Sequence, residues 1–133
     1  MCCEQTEYNL IKSKQDIDVF LDRTNGLHDG YMIGVQYEHR GHTGGNPHQI
    51  DTTLSVLKIR IMVTSINDAV VELVFQDISE WQIKDYNTSD IFGVTISITD
   101  DGNVIWTDNY STEADVRKNG SFVVAKTMKW RFV

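Results

Sequence analysis

Apolar and polar positions alternate along much of the chain after residue 30. The clearest runs are Tyr31–Tyr37, Leu57–Val63 and Val94–Ile98, in which every second residue is apolar. A period of two places one set of side chains on a core and the other set in water, as a half-buried strand requires. In the first run, this predicts one shared buried face for four side chains: Tyr31, Ile33, Val35 and Tyr37.

One helix is predicted before the strands, over residues 13–26. Ser13 can cap it, and Asp16 places a carboxylate in the first turn, where the helix dipole favours negative charge. Gly26 is a natural stop, because glycine adopts the left-handed conformation without steric cost. The helix has one narrow apolar stripe, formed by Ile17, Phe20 and Leu21. Residues 1–12 are predicted to be weakly ordered.

The strands are expected over residues 30–38, 52–64, 69–76, 92–99, 103–109 and 121–132. The third of them is apolar on both faces, which predicts a central position in the sheet. The stretch from 77 to 90 is less regular, with a short strand at Trp81 and Ile83. The Asp101-Gly102 pair favours a tight hairpin turn, and Thr127 marks a bulge or break in the last strand.

Together these elements predict an α+β, mainly β fold. An N-terminal helix would pack on an antiparallel sheet of six to eight strands, strongly curved into a half-barrel or folded into a sandwich so that its apolar face is covered. The chain has 133 residues, of which 41% are hydrophobic, which is enough for one core. Residues 1–133 are therefore expected to form a single domain, with antiparallel β-structure over residues 27–133.

The net charge indicates which kind of partner the protein could bind, and the cysteine content indicates where in the cell it is expected. The formal net charge of −7 argues against a nucleic-acid partner, because phosphates need a positive surface. It is compatible with a basic protein partner, since opposite charge steers encounter. Cys2 and Cys3 are adjacent and are the only cysteines, so no disulfide framework is expected. With no apolar run of membrane-spanning length, a cytoplasmic location without membrane contact is predicted.

All four histidines lie between positions 28 and 48. His39 and His42 have a spacing that could share a metal on a turn, and His28 and Asp29 lie nearby in sequence. A domain that binds a metal or a small ligand through His28, Asp29, His39 and His42, a hydrolase included, is one hypothesis. The structural alternative is that solvated histidines line a Gly-rich loop and that His28-Asp29-Gly30 opens the first strand, with Gly30 at positive φ.

Recognised catalytic motifs are missing. The sequence has no Gly-x-Ser-x-Gly elbow and no Gly-rich loop before a Lys-Ser or Lys-Thr pair, and the two cysteines have no base placed beside them by the sequence. The chain is therefore predicted not to be an enzyme and to carry no cofactor. The candidate contacts for a partner are an aromatic residue and the carboxylates around it, which can make a charged rim about an anchor: Asp77, Glu80, Trp81 and Asp85.

Three stretches resemble a broad group of small bacterial β-rich domains: Leu27-His28-Asp29-Gly30-Tyr31, Val71–Ile78 and Phe122–Trp130. In that group a helix leads to a His-Asp-Gly or His-Asp-Ser step, then to a strand and a meander. Some of its members are similar to immunity proteins of bacterial toxin systems, which bind and block a toxin without catalysis. The resemblance implies the same role here. The His-rich loop at 39–50 departs from the group.

The leading hypothesis from the sequence is thus a non-catalytic cytoplasmic protein-binding domain of the immunity type. The metal- or ligand-binding domain is the alternative. A third hypothesis is a structural module that associates with itself through an edge strand.

Overall fold

A computed structural model describes residues 7–39, 55–84, 90–109, 112, 115 and 120–133. These residues contain one α-helix, α1 (Lys14–Arg23), and seven strands: β1 (Asn9–Leu10), β2 (Gly30–His39), β3 (Ser55–Val63), β4 (Ala69–Gln82), β5 (Thr95–Ile98), β6 (Val104–Thr107) and β7 (Phe122–Phe132). The strands form one antiparallel sheet in the order β2-β3-β4-β7-β6-β5, and β1 also pairs with β7. The mainly β fold is confirmed.

The helix begins as the sequence predicts. The Ser13 hydroxyl accepts a hydrogen bond from the Asp16 amide, and the Asp16 carboxylate accepts one from the Lys12 amide at 2.9 Å. The helix ends at Arg23, slightly earlier than expected, and Gly26 follows at a φ of 62°. In the described part of the chain, no helix is long and apolar enough to cross a membrane.

The core lies between α1 and one face of the sheet, which we call the inner face. It carries Leu57, Ile59, Leu73 and Trp130, all at most 1% exposed. Phe20 of α1 contacts Trp130 edge-to-face, with ring centroids 5.2 Å apart. Ile91 and Val94, which precede β5, belong to the same core.

The predicted strong curvature is wrong, because the sheet is neither strongly curled nor closed. The helix and the segment around Ile91–Val94 cover the inner face. The apolar surface is therefore buried without the sheet having to close on itself.

Strand β4 is central, as its two apolar faces predict. It pairs with β3 over Ala69–Gln76 and with β7 over Val71–Gln82, so the stretch expected to be irregular continues the strand as far as Gln82. Asp77 has a φ of 55°, a conformation that Asp tolerates better than most residues. Around it the strand changes phase, since Phe75 and Ile78 both belong to the core.

Strand β7 changes phase at the same level. It is continuous, but Ala125 and Met128 are both buried in the core although they are three residues apart. The irregularity predicted at Thr127 therefore takes the form of a shift of phase, not a break.

The predicted buried face of β2 is wrong. Met32 lies opposite Ile61 and Gly34 lies opposite Arg60, so Ile33 is an extra residue in a bulge. Because one residue of slip reverses every side chain, Tyr31 falls on one face and Tyr37 on the other. All four side chains assigned to the buried face are 39–46% exposed: Tyr31, Ile33, Val35 and Tyr37.

A tight corner leads from α1 into β2. Asn25, Gly26, Leu27 and Asp29 all have φ between 53° and 62°, and Leu27 is fully buried. The positive φ expected at Gly30 belongs instead to Asp29. Glycine is needed at position 30 for another reason: a Cβ there would lie 2.8 Å from the Leu27 carbonyl oxygen and 2.9 Å from Ile61 Cγ2.

We therefore predict that Gly30→Ala lowers the free energy of unfolding by about 1–3 kcal/mol, because the corner or Ile61 must shift to admit the methyl group. Urea denaturation measures the change. Gly34→Ala is the matched control, since a Cβ at Gly34 meets no atom within 4 Å and its effect should stay within about 0.5 kcal/mol. Equal effects of the two substitutions would contradict this account of Gly30.

Candidate functional site

His28 and Asp29 lie in the corner before β2, where they hold segments together. The His28 ring donates from Nδ1 to the Phe92 carbonyl oxygen at 2.7 Å. The Asp29 amide donates to the Ile91 carbonyl oxygen at 2.9 Å. The Ser65 hydroxyl donates to the His28 carbonyl oxygen, also at 2.7 Å. These bonds fasten the corner to two other parts of the chain.

The other predicted metal ligands lie elsewhere. His39 ends β2, nine residues beyond Gly30, which corresponds to about 30 Å along a strand. The structure therefore does not bring His28 and Asp29 together with His39. His42 lies outside the described residues. Among the residues that are described, no three His, Cys, Asp or Glu side chains are grouped as ligands of one ion.

The predicted partner contacts lie along the second half of β4. Trp81 is opposite Val123 and Glu80 is opposite Val124, so these two neighbours point to opposite faces of the sheet. Asp77 is the left-handed residue at which the strand changes phase. Asp85 is outside the described residues. Asp77 and Glu80 therefore do not form one continuous acidic rim around Trp81.

Trp81 instead has an aromatic partner from β2. Its ring stacks on Tyr37 with centroids 4.9 Å apart and an interplanar angle of 29°. Tyr37 also lies 6.5 Å from the His39 ring. Trp81 is 38% exposed and Tyr37 is 42% exposed, so the stack presents aromatic surface to solvent. This aromatic cluster, Tyr37, His39 and Trp81, joins the ends of two strands that are not neighbours in the sheet.

Strand β2 forms one edge of the sheet. On one side, β2 is hydrogen-bonded to β3 along its length. On its other side, the described residues contribute one β-bridge, between Gly30 and Ile91. An edge strand of ten residues with large exposed apolar side chains is unusual, because natural proteins blunt such edges with charges, prolines or short strands. In its own sequence β2 carries two such devices, a bulge at Ile33 and the exposed charge of Glu38.

The opposite face of the sheet, which we call the outer face, centres on a buried glutamate. Glu72 of β4 is 1% exposed and accepts three hydrogen bonds. Tyr8 donates from its hydroxyl to Oε1, Arg131 donates from Nε to Oε1 at 3.1 Å, and Arg60 donates from Nε to Oε2 at 3.0 Å. Since an unpaired buried carboxylate would be strongly unfavourable, these donors are what allow Glu72 to lie inside the sheet.

These hydrogen bonds also determine the ionisation states of Glu72 and Tyr8. Burial raises the pKa of Glu72, but the bonds from Tyr8, Arg60 and Arg131 outweigh it and hold the pKa below its ordinary value. Burial, together with the hydrogen bond to Glu72, raises the pKa of Tyr8. Glu72 is therefore ionised at neutral pH and Tyr8 keeps its proton.

Cations surround this carboxylate in two cross-strand rows. Arg60, Glu72 and Arg131 are opposite one another on β3, β4 and β7, and Lys58 and Lys129 flank Val74 in the next row. The guanidinium of Arg131 lies 4.4 Å from the Tyr8 ring centroid. The four cations, Lys58, Arg60, Lys129 and Arg131, make a basic patch on a chain whose net charge is −7.

Within the patch, the outer face has a cavity of about 300 Å³. It is lined by Gly34, Val35, Gln36, Lys58, Arg60, Glu72 and Arg131. Gly34 stands opposite Arg60 in β2, where a side chain would otherwise fill the space. The cavity therefore combines cationic walls with an opening left by a missing side chain.

Two signals for the outer-face site are present in the sequence. Glu72 interrupts the apolar run Val70–Phe75, and a strand buries such an ion only with partners. Lysine and arginine also recur two residues apart, at 58 and 60 and again at 129 and 131. What the sequence lacks is the register that sets these residues opposite Glu72.

Comparisons of the chain with protein-family models, with curated proteins and with solved structures give no match.

The depressed pKa of Glu72 predicts how stability depends on pH. Its contribution is fully present above the ordinary glutamate value of 4.5 and is lost as the pH falls through the lower folded-state pKa. We expect Glu72→Gln to lower the free energy of unfolding at pH 7 by about 2–4 kcal/mol. The variant should also lose part of the stability decrease that the wild type shows below about pH 4.5.

Urea denaturation at a series of pH values measures both effects. Glu38→Gln is the control, because it removes an exposed carboxylate from neighbouring β2 and should leave the acid limb of the curve unchanged. Parallel acid limbs for the wild type and Glu72→Gln would show that Glu72 does not carry this pH dependence.

Proposed function

We propose that this protein is a non-catalytic domain that binds a protein partner in the cytoplasm, in the way that immunity proteins bind toxins. The observation that carries the proposal is the exposed apolar edge of the sheet. Strand β2 lies at that edge and leaves four large apolar side chains at about two-fifths exposure: Tyr31, Ile33, Val35 and Tyr37. Apolar surface of this kind, concentrated on one strand, is typical of an interaction site.

The partner's contact would be an extended segment that adds to β2. The N–H and C=O groups on the outer side of an edge strand can continue a sheet, which supplies affinity through main-chain hydrogen bonds. Side-chain specificity would come from the Tyr37–Trp81 stack, because rigid, half-exposed aromatic groups make large contacts at a low entropic cost. The exposed stack lies beside the end of β2, where such a segment would pass.

The net charge suggests a basic partner. A charge of −7 speeds the encounter with a positively charged protein. Among the carboxylates predicted as contacts, Asp77 and Glu80 are secondary to Trp81 in this proposal, since Glu80 points to the opposite face. Exposed Glu38 points to the same face as Glu80, but it lies on β2 itself, beside which an added strand would run, and could meet a basic side chain of that strand.

We expect Trp81→Ala and Tyr37→Ala to weaken binding of the partner by about 2 kcal/mol or more, as loss of an aromatic anchor does. Affinity capture from the native host's lysate, with the wild type and each variant as bait, identifies a candidate partner protein. Titration calorimetry with the purified candidate then measures the affinity. Val19→Ala is the matched control, because Val19 is an equally exposed apolar residue (46%) on α1 and its loss should leave the affinity unchanged.

The outcomes separate the proposal from its competitors. A protein that binds the wild type and Val19→Ala but not the two aromatic variants supports it, provided that urea denaturation shows the variants to be folded. A candidate bound equally by all four proteins contradicts the assignment of the site. Sedimentation as a dimer that Trp81→Ala dissociates would identify a second copy of the chain as the occupant and would also contradict the proposal.

A further inference from the structure

We propose that two copies of this chain associate through β5 and α1 as a symmetric dimer. Strand β5 ends the sheet on the side opposite to β2, and a cavity of about 420 Å³ lies between β5 and the first half of α1. We call its lining residues the β5 groove: Lys14, Ile17, Asp18, Ile96, Ser97 and Ile98. The proposal is independent of partner binding at β2, because the two strands lie at opposite ends of the sheet.

Main-chain groups of β5 point outward from this edge. The Thr99 amide donates to the Asn103 carbonyl oxygen at 2.8 Å, directly beyond the pair that Ile98 makes with Val104. In an antiparallel ladder, a bond at that place means that Ile98, and Ile96 two residues before it, stand in non-hydrogen-bonded pairs with β6. Their N–H and C=O groups therefore point away from β6. Within the described chain, no backbone group pairs with them across the edge.

A second β5 that ran antiparallel to the first would pair with these groups in both copies. A two-fold axis beside Ser97 would set Ile96 of one copy opposite Ile98 of the other, and these residues would exchange their N–H···O bonds. Symmetry forms the second such pair from the same residues. The exposed edges of both copies are then covered at once, so the assembly closes as a dimer and does not continue as a filament.

The helix side of the groove carries two opposite charges. Lys14 and Asp18 lie one helical turn apart and both line the cavity. In the part of the chain that the structure describes, neither side chain has an ion-pair partner. An axis that passed between Ile17 and Ser97 would bring Lys14 of each copy to Asp18 of the other. A wall with both charges matches a copy of itself, whereas a partner of uniform charge would match one of the two residues.

The centre of the groove is apolar. Ile17 and Ile96 are each 9% exposed and belong to the core, and Ile98 is partly buried against it. Near the axis, Ile17 and Ile98 would contact the same residues of the second copy. The dimer would thus have an apolar centre and a charged rim, which is the usual anatomy of a protein interface.

Net charge and interface size together set the strength of association. Each copy carries −7, so two copies repel one another at a distance. At about 0.15 M salt, however, exposed charges separated by more than about 8 Å are largely screened. A strand of four residues and part of one helix make a small interface, which is typical of reversible association. We therefore expect a monomer–dimer equilibrium in the micromolar range.

Sedimentation equilibrium of the full chain, from about 5 µM to about 1 mM at constant salt, tests the proposal. Lys14→Asp and Asp18→Lys each set like charges against one another across the axis, and each should weaken association about tenfold or more. The double variant Lys14→Asp/Asp18→Lys exchanges the two charges and should regain most of the wild-type association. Lys58→Asp is the matched control, because it makes the same change in net charge at an exposed residue of the outer face and should leave association unchanged.

A backbone variant tests the strand pairing separately. Ile98→Pro removes an outward N–H and no hydrogen bond to β6, as an edge strand tolerates, and it should make the chain monomeric. Urea denaturation checks that each variant is folded. Three results would each overturn the proposal: a wild type that stays monomeric at about 1 mM, association that the double variant does not regain, or a monomer that binds a different protein through Lys14 and Asp18. A dimer that Trp81→Ala dissociates and Lys14→Asp does not would place the second copy at β2 and would overturn it as well.

Discussion

The sheet depends on the pairing of β4 with both of its neighbours. Five successive residues of this strand, from Val71 to Phe75, are buried, so both of its faces are covered in the middle of the sheet. One of the five is a glutamate, and the strand can keep this position only because Glu72 finds a donor on β3, another on β7 and a third at Tyr8. The apolar core and the polar cross-strand contact therefore hold the same three strands together from opposite faces.

The elements that the sequence predicts well are those set by local chemistry. The helix cap at Ser13, the turn at Gly102 and the alternation of β3 all follow from residues close together in sequence. The central position of β4 follows from its two apolar faces. Where the prediction is wrong, the cause is non-local: a one-residue bulge at Ile33 reverses half of β2, and the helix and the Ile91–Val94 segment remove the need for a curved sheet.

The candidate site also has one part that the sequence predicts and another that depends on non-local pairing. Trp81 can be chosen from its sequence, because an aromatic residue among carboxylates is a recognisable pattern. Its stacking partner Tyr37 cannot, because the bulge determines which face Tyr37 occupies. The basic patch is harder still, since its four cations come from two strands that are neighbours of β4 but are separated by about 70 residues along the chain. Only the register brings them around Glu72.

Strand β2 lies at the edge of the sheet and carries side chains on both faces, and this position has a thermodynamic consequence. Its inner-face residue Tyr37 belongs to the aromatic cluster, and its outer-face residues Gly34 and Gln36 line the cavity. An edge strand opens more readily than a central one, because it is held from one side. A segment that paired with the side of β2 away from β3 would hold the strand from both sides and would raise the free energy needed to open it. The aromatic cluster and the cavity, which share this strand, would then both become more rigid.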